Sequence, residues 1–168
     1  MKISSNHLKN ILMKNLYEKS RSIFCTNFQG MGFSECDVLR ITESNIVYEY
    51  EIKTSRSDFK ADFKKTYKHK RLSNPTYKIE RYLKWKQHPS LPNHFIYVVP
   101  KDMVKPTEIP EYAGLIYVEG DNIEIIKKAP KLHNFKANET LIRTVCSLLS
   151  TRTLFGGCSY IKFLNGKH

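Results

Sequence analysis

The stretch Ile46-Val-Tyr-Glu-Tyr-Glu-Ile-Lys-Thr54 constrains this chain more than any other. Its β-branched and aromatic residues suit a strand. Strand side chains alternate between faces, so Glu49, Glu51 and Lys53 share one side while Tyr48, Tyr50 and Ile52 share the other. Three charged groups on one face of an otherwise apolar strand carry a large desolvation penalty unless they face a cleft, a metal or one another. The plainer alternative is an edge strand with a solvated Glu-Glu-Lys face.

Residues 36–42 form a second apolar run, separated from the first by Glu43, Ser44 and Asn45, and the pair reads as a β-hairpin. If Thr42 pairs with Ile46 around a three-residue loop, the paired positions sum to 88 and Asp37 falls directly opposite Glu51. Opposed residues hold their Cβ atoms roughly 4.5 to 5.5 Å apart, close enough for two carboxylates to grip one cation. A two-residue turn would make the sum odd and send Asp37 to the other face. Asp37 and Glu51, with the backbone carbonyl of Ile52 as a third donor, suit a hard ion such as Mg2+ or Mn2+. Lys53, about 7 Å along the same face from Glu51, is placed to orient a water or to offset charge developing on a phosphoryl group. A plain salt bridge is the other reading of a lysine beside two acids.

Elsewhere the apolar spacing gives a first helix carrying Leu8, Ile11, Leu12 and Leu16, capped by Ser4 or Ser5, and a short strand with a loop between Ile23 and Phe33. A second helix follows Thr54, with Ser55 or Ser57 as cap and Phe59 and Phe63 on one face. Residues 95–99 are almost wholly apolar and suit a strand buried on both sides. A hairpin over 115–126 and a last helix through Leu141, Val145, Leu148 and Leu149 complete the pattern. The 168 residues suit one domain, 1–168.

Charge sets the expected partner. Lys and Arg total 28 against 16 Asp and Glu, and the excess gathers between Lys60 and Lys86, so one face should attract a polyanion. Arg56, Lys60, Lys64, Lys65, Lys68, Lys70 and Arg71 are the expected phosphate contacts, with Tyr77, Tyr82 and Trp85 as stacking partners for exposed bases. Asp58 and Asp62 read as structural acids near a helix start. The four cysteines show no C-x-x-C pair, which argues against zinc and for free thiols in a cytoplasmic setting. Residues 1–20 are broken by polar side chains before a leader-like run forms, and no stretch has the roughly 18 to 20 apolar residues that cross a bilayer, so no membrane partner is expected.

Asp37 followed a hairpin later by Glu51-Ile52-Lys53 resembles the PD-(D/E)XK nuclease superfamily, in which an Asp and an E-x-K tripeptide sit on adjacent strands of an αβββαβ core. The longer progression from Glu51 through Asp58-Phe59-Lys60-Ala61-Asp62, then residues 95–100 and 113–116, resembles the MmcB-type DNA repair family over roughly residues 30–130. The resemblance implies an α/β, restriction-endonuclease-like fold with a mixed central sheet flanked by helices. It implies a metal-dependent DNA endonuclease or repair nuclease using Mg2+ or Mn2+, with Asp37 and Glu51 as ligands and Lys53 as the catalytic lysine. A non-catalytic DNA-binding module and an RNA-directed protein are the rival readings, and nucleases of this size often form homodimers. Relatives also place a Glu from the first helix at the metal through water, for which Glu18 is the candidate. Cys36 stands where the superfamily carries Pro, and residues 67–93 are longer than the pattern expects and read as a basic insertion.

Overall fold

The computed structural model describes residues 4–76, 79–80, 88 and 90–155. Helix α1 (Ser5–Lys19) starts where the Ser4 hydroxyl accepts the His7 N–H. Three antiparallel strands follow: β1 (Ser22–Gly30), β2 (Phe33–Thr42) and β3 (Val47–Ile52). Two short helices, α2 (Arg56–Asp62) and α3 (Thr66–Ser73), follow among the described residues, and β4 (His94–Pro100) pairs parallel to β3. A 3₁₀ turn at Pro106–Glu108 leads to β5 (Ala113–Glu119), parallel to β4, and β6 (Asn122–Lys127) returns antiparallel. Helix α4 (Glu139–Leu154), capped by Asn138, closes the described chain.

The six strands form one mixed sheet in sequence order, so an α/β architecture with flanking helices is what the sequence pattern led to. Strand alternation sorts the layers. Val38, Tyr50, Ile52, Ile96, Val98, Ile116 and Val118 meet Leu8, Ile11, Leu12 and Leu16 of α1 on one face. On the other, Phe95, Tyr97, Val99, Leu115 and Tyr117 pack under Phe59 of α2 and Leu72 of α3. On that same side Leu39, Ile41 and Val47 pack under Leu141 and Val145 of α4. Strand β4 is buried on both sides, and each fully buried aliphatic side chain contributes roughly 1.5 to 3 kcal/mol.

Turn chemistry sets both registers around β2. Met31 and Gly32 both have positive φ, the signature of the two-residue hairpin turn that matches strand twist, and they join β1 to a longer β2 than the sequence suggested. Between β2 and β3, Asn45 takes φ 62 and its N–H bonds Thr42 O, closing the three-residue loop, while Thr42 N–H bonds Ile46 O.

Two segments depart from the sequence reading. The helix after Thr54 breaks in two between Asp62 and Thr66, and α3, inside the stretch read as an insertion from residue 67, packs as part of the main body. Tyr77, Tyr82 and Trp85, and most of the helix expected around them, lie outside the described residues. Among the described residues no helix is long and apolar enough to cross a membrane.

Candidate active site

The β2–β3 ladder has the expected register, its pairs Val38–Tyr50, Leu39–Glu49, Arg40–Tyr48 and Ile41–Val47 all summing to 88. The ladder stops one pair short of Asp37 and Glu51. Here the strands also change face. Cys25 and Phe28 pack together under α4, as do Cys36 and Leu39, although strict alternation would separate residues three apart. Asn27, across from this switch, takes φ 47. Asp37 therefore does not simply face Glu51. Its Oδ2 accepts the Ile52 N–H at 2.9 Å, replacing a ladder bond with a side chain, and its Oδ1 meets Lys9 Nζ at 2.7 Å. Lys9 also donates to Asn27 Oδ1 at 2.6 Å.

Glu51 lies on the face toward α3. Lys53 Nζ meets its Oε1 at 2.8 Å, Lys68 Nζ meets its Oε2 at 2.6 Å, and Lys65 reaches Oε1 at 3.5 Å. Lys53 is fixed from the far side by Asp62, 3.1 Å away, and Asp62 in turn accepts the Tyr97 hydroxyl at 2.9 Å. Burial pulls the Lys53 ammonium down, yet Glu51 and Asp62 outweigh it and hold its pKa above the usual value. Lys53 is thus a fixed cation, suited to stabilising negative charge rather than to accepting a proton. Burial raises Asp62, but the His69 hydrogen bond and the Lys68 and Lys53 charges prevail and keep its carboxyl well below the ordinary range.

One strand position deeper, Glu49 is 2% exposed and lies 3.2 Å from Lys68 Nζ. Burial pushes its carboxyl up to about 7, with Glu51 adding to the rise and Lys68 opposing it. Lys68 serves both acids, and its ammonium also stands 4.8 Å from the centre of the Phe95 ring.

Asp37, Glu51, Ile52 and Lys53 together line a single cleft of about 260 Å³, joined by Ser5, Glu35, Asp58 and Lys65. Four positions singled out in the sequence thus meet at one place. Other expectations need correction. Glu18 is exposed near the far end of α1, nine residues from Lys9 and so about 13 Å along the helix, and Lys9 is the α1 side chain that reaches the site. Lys68 and Arg71 are buried at 5% and 9% exposure and point inward, Lys68 to the acids and Arg71 to Ser90 O, so neither lies where a phosphate backbone meets the surface. Arg56 is exposed but bound to Glu108 at 2.6 Å. Lys60, Lys64, Lys65 and Lys70 are exposed as expected. Asp58 sits in the first turn of α2, where its N–H is capped by the Ser55 hydroxyl.

Sequence patterning misses Lys9, and it gives Lys68 the role of a phosphate contact rather than of a buried partner to Glu49 and Glu51. Each sits on a helix among polar neighbours, where a lysine reads as solvated, and only tertiary packing brings it beneath the sheet.

No protein-family model and no curated protein matches the chain. Among solved structures it resembles the SPO1766 protein of unknown function from Silicibacter pomeroyi, with a TM-score of 0.59 at 18% identity, over 100% of this chain and 97% of that one. At that identity the likeness concerns the fold.

Proposed function

We propose that this cleft is the active site of a divalent-metal-dependent phosphodiester hydrolase acting on DNA. The observation that carries the reading is the convergence of Asp37, Glu51, Ile52 and Lys53 on one cleft beside the exposed Lys64 and Lys65. The element order α1-β1-β2-β3-α2-α3-β4, with β4 parallel to β3, supports the αβββαβ core that the D and E-x-K residues suggest.

The donor chemistry fits a hard ion. Two carboxylates and a carbonyl are oxygen donors of the kind Mg2+ and Mn2+ prefer. Among the described residues no three acidic, His or Cys side chains converge as a metal site, so the third protein donor would be the Ile52 carbonyl, with water completing the shell. When bound there, the ion would polarise a phosphoryl oxygen and acidify a water. Asp37 and Glu51 would hold it, and Lys65, half-exposed, can leave Glu51 Oε1 for solvent or phosphate. Lys53, kept cationic by Glu51 and Asp62, stabilises charge building on the phosphoryl oxygens. Lys68 positions Glu51 from below, and Lys60 and Lys64 draw the backbone toward the cleft.

A specific observation favours the binding-module reading as the second choice. Lys9 already neutralises Asp37 at 2.7 Å, so the site is charge-balanced without a metal. Nicking of supercoiled plasmid separates the two. The hydrolase nicks in Mg2+ or Mn2+ and not in EDTA, and Glu51→Gln or Lys53→Met lowers the rate by about 10²-fold or more. Binding of plasmid without nicking in either metal would leave the module. Cleavage of matched RNA in preference to DNA would move the substrate to the other polymer.

A further inference from the structure

Beside the cleft lies a second hollow of about 420 Å³, whose walls include Glu35, Lys64, Lys65, Tyr67 and the buried Lys68. It borders the cleft, and Glu35 and Lys65 line both. Tyr67, in the first turn of α3, is 67% exposed, an unusual place for an aromatic ring this close to a charged site. The Arg71 guanidinium, one turn on and itself buried, lies 5.3 Å from the ring centre. A cation held against one face steadies the ring and leaves the remainder open toward the hollow.

We infer that this hollow takes one unpaired nucleobase, stacked on Tyr67, while the adjoining phosphate lies along Lys64 and Lys65 toward the Glu51 cleft. The inference rests on the phosphodiesterase reading and sharpens its substrate to nucleic acid with an unpaired nucleotide at the reacting phosphate. Three features select a base. The exposed ring offers a sequence-tolerant stacking surface of the kind single-strand binders use. Lysines flank it on the sequence side nearest the cleft, which suits the backbone on either side of a splayed base. Glu35 in the wall repels phosphate from the hollow itself yet accepts a hydrogen bond from an exocyclic amine on a base edge. A base inside a duplex is stacked on both faces and cannot present one to Tyr67. Rigidity links the parts, since Tyr67 directly precedes Lys68, whose ammonium is fixed on Glu51.

The test is equilibrium binding of the full chain to a fluorescein-labelled single strand and to the same strand in a blunt duplex, by anisotropy in EDTA. No turnover is involved, so the outcome is independent of whether the protein cuts. Tyr67→Ala should weaken single-strand binding about tenfold, within the roughly 5- to 150-fold expected for one lost stack, and change duplex binding by less than about twofold. Tyr67→Phe should keep the wild-type value, because the ring and not the hydroxyl does the stacking. A matched RNA strand identifies which polymer supplies the base. Equal losses on single strand and duplex, no loss on either, or a Tyr67→Phe defect as large as that of Tyr67→Ala would overturn the inference. Because Tyr67 is exposed, the melting temperature should stay unchanged in both variants.

Discussion

Replacing Lys68 by Met distinguishes a buried counter-ion from a surface phosphate contact. The ammonium lies 2.6 Å from Glu51 Oε2 and 3.2 Å from Glu49 Oε1, and the residue is 5% exposed. Methionine keeps an apolar stem against Phe95 and removes only the charge. Two buried carboxylates then lose a shared partner, and breaking a buried pair from one side costs about 3 to 5 kcal/mol. At roughly 2 to 4 °C per kcal/mol for a chain this size, Lys68→Met should lower the melting temperature by about 6 to 20 °C. Lys64→Met, in the exposed break between α2 and α3, should stay within about 0.5 kcal/mol, or about 2 °C. The Lys68→Met loss should also be larger at pH 8 than at pH 5, because protonating Glu49 removes one of the two stranded charges. Differential scanning calorimetry on the two variants decides it. A Lys68→Met melt within about 2 °C of wild type would refute the buried-network reasoning.

Glu49 gives a second, signed expectation. Its carboxyl is raised to about 7 in the fold against 4.5 for the free group, so its contribution to stability is present below about 4.5 and is lost as pH rises through 7. Buried His88, pushed down to about 4, acts in the opposite direction between 6.5 and 4, and it cancels when wild type is compared with Glu49→Gln. Urea titrations should show Glu49→Gln gaining on wild type between pH 5 and pH 8, by on the order of 3 kcal/mol; parallel pH curves would be inconsistent with this. Gly114→Ala should destabilise by about 1 to 3 kcal/mol. A Cβ there would stand 2.8 Å from Ala129 N and 2.9 Å from Lys127 O, both backbone atoms that move only with the β5–β6 edge, and an unchanged thermal melt would contradict that crowding.

Alternation and turn chemistry made the hairpin legible before any coordinates. Glu43, Ser44 and Asn45 separate the two apolar runs, and of the two turn lengths weighed it is the three-residue loop that forms and sets the register. The alternating strand likewise put Glu49, Glu51 and Lys53 on one face, and the apolar run at 95–99 read correctly as a strand buried on both sides. What sequence could not convey was the switch of face near Asn27 and Asp37, because period-two reasoning assumes an unbroken pleat. Asp37 consequently spends one oxygen on the Ile52 N–H instead of facing Glu51 as a ladder pair. The burial of Lys9 and Lys68 is illegible for a different reason. Charged residues on a helix default to the solvated face, and their burial depends on acids that arrive from strands 17 or more residues away in the chain.

The proposed hydrolase requires Asp37 and Glu51 to share one divalent ion. Anomalous diffraction from crystals soaked in Mn2+ tests it most directly. A manganese peak should stand in the cleft within bonding distance of both carboxylates and the Ile52 carbonyl, with Lys9 displaced from Asp37 Oδ1. Crystals that take up manganese elsewhere, or show Lys9 still seated on Asp37 and no peak in the cleft at saturating Mn2+, would contradict it.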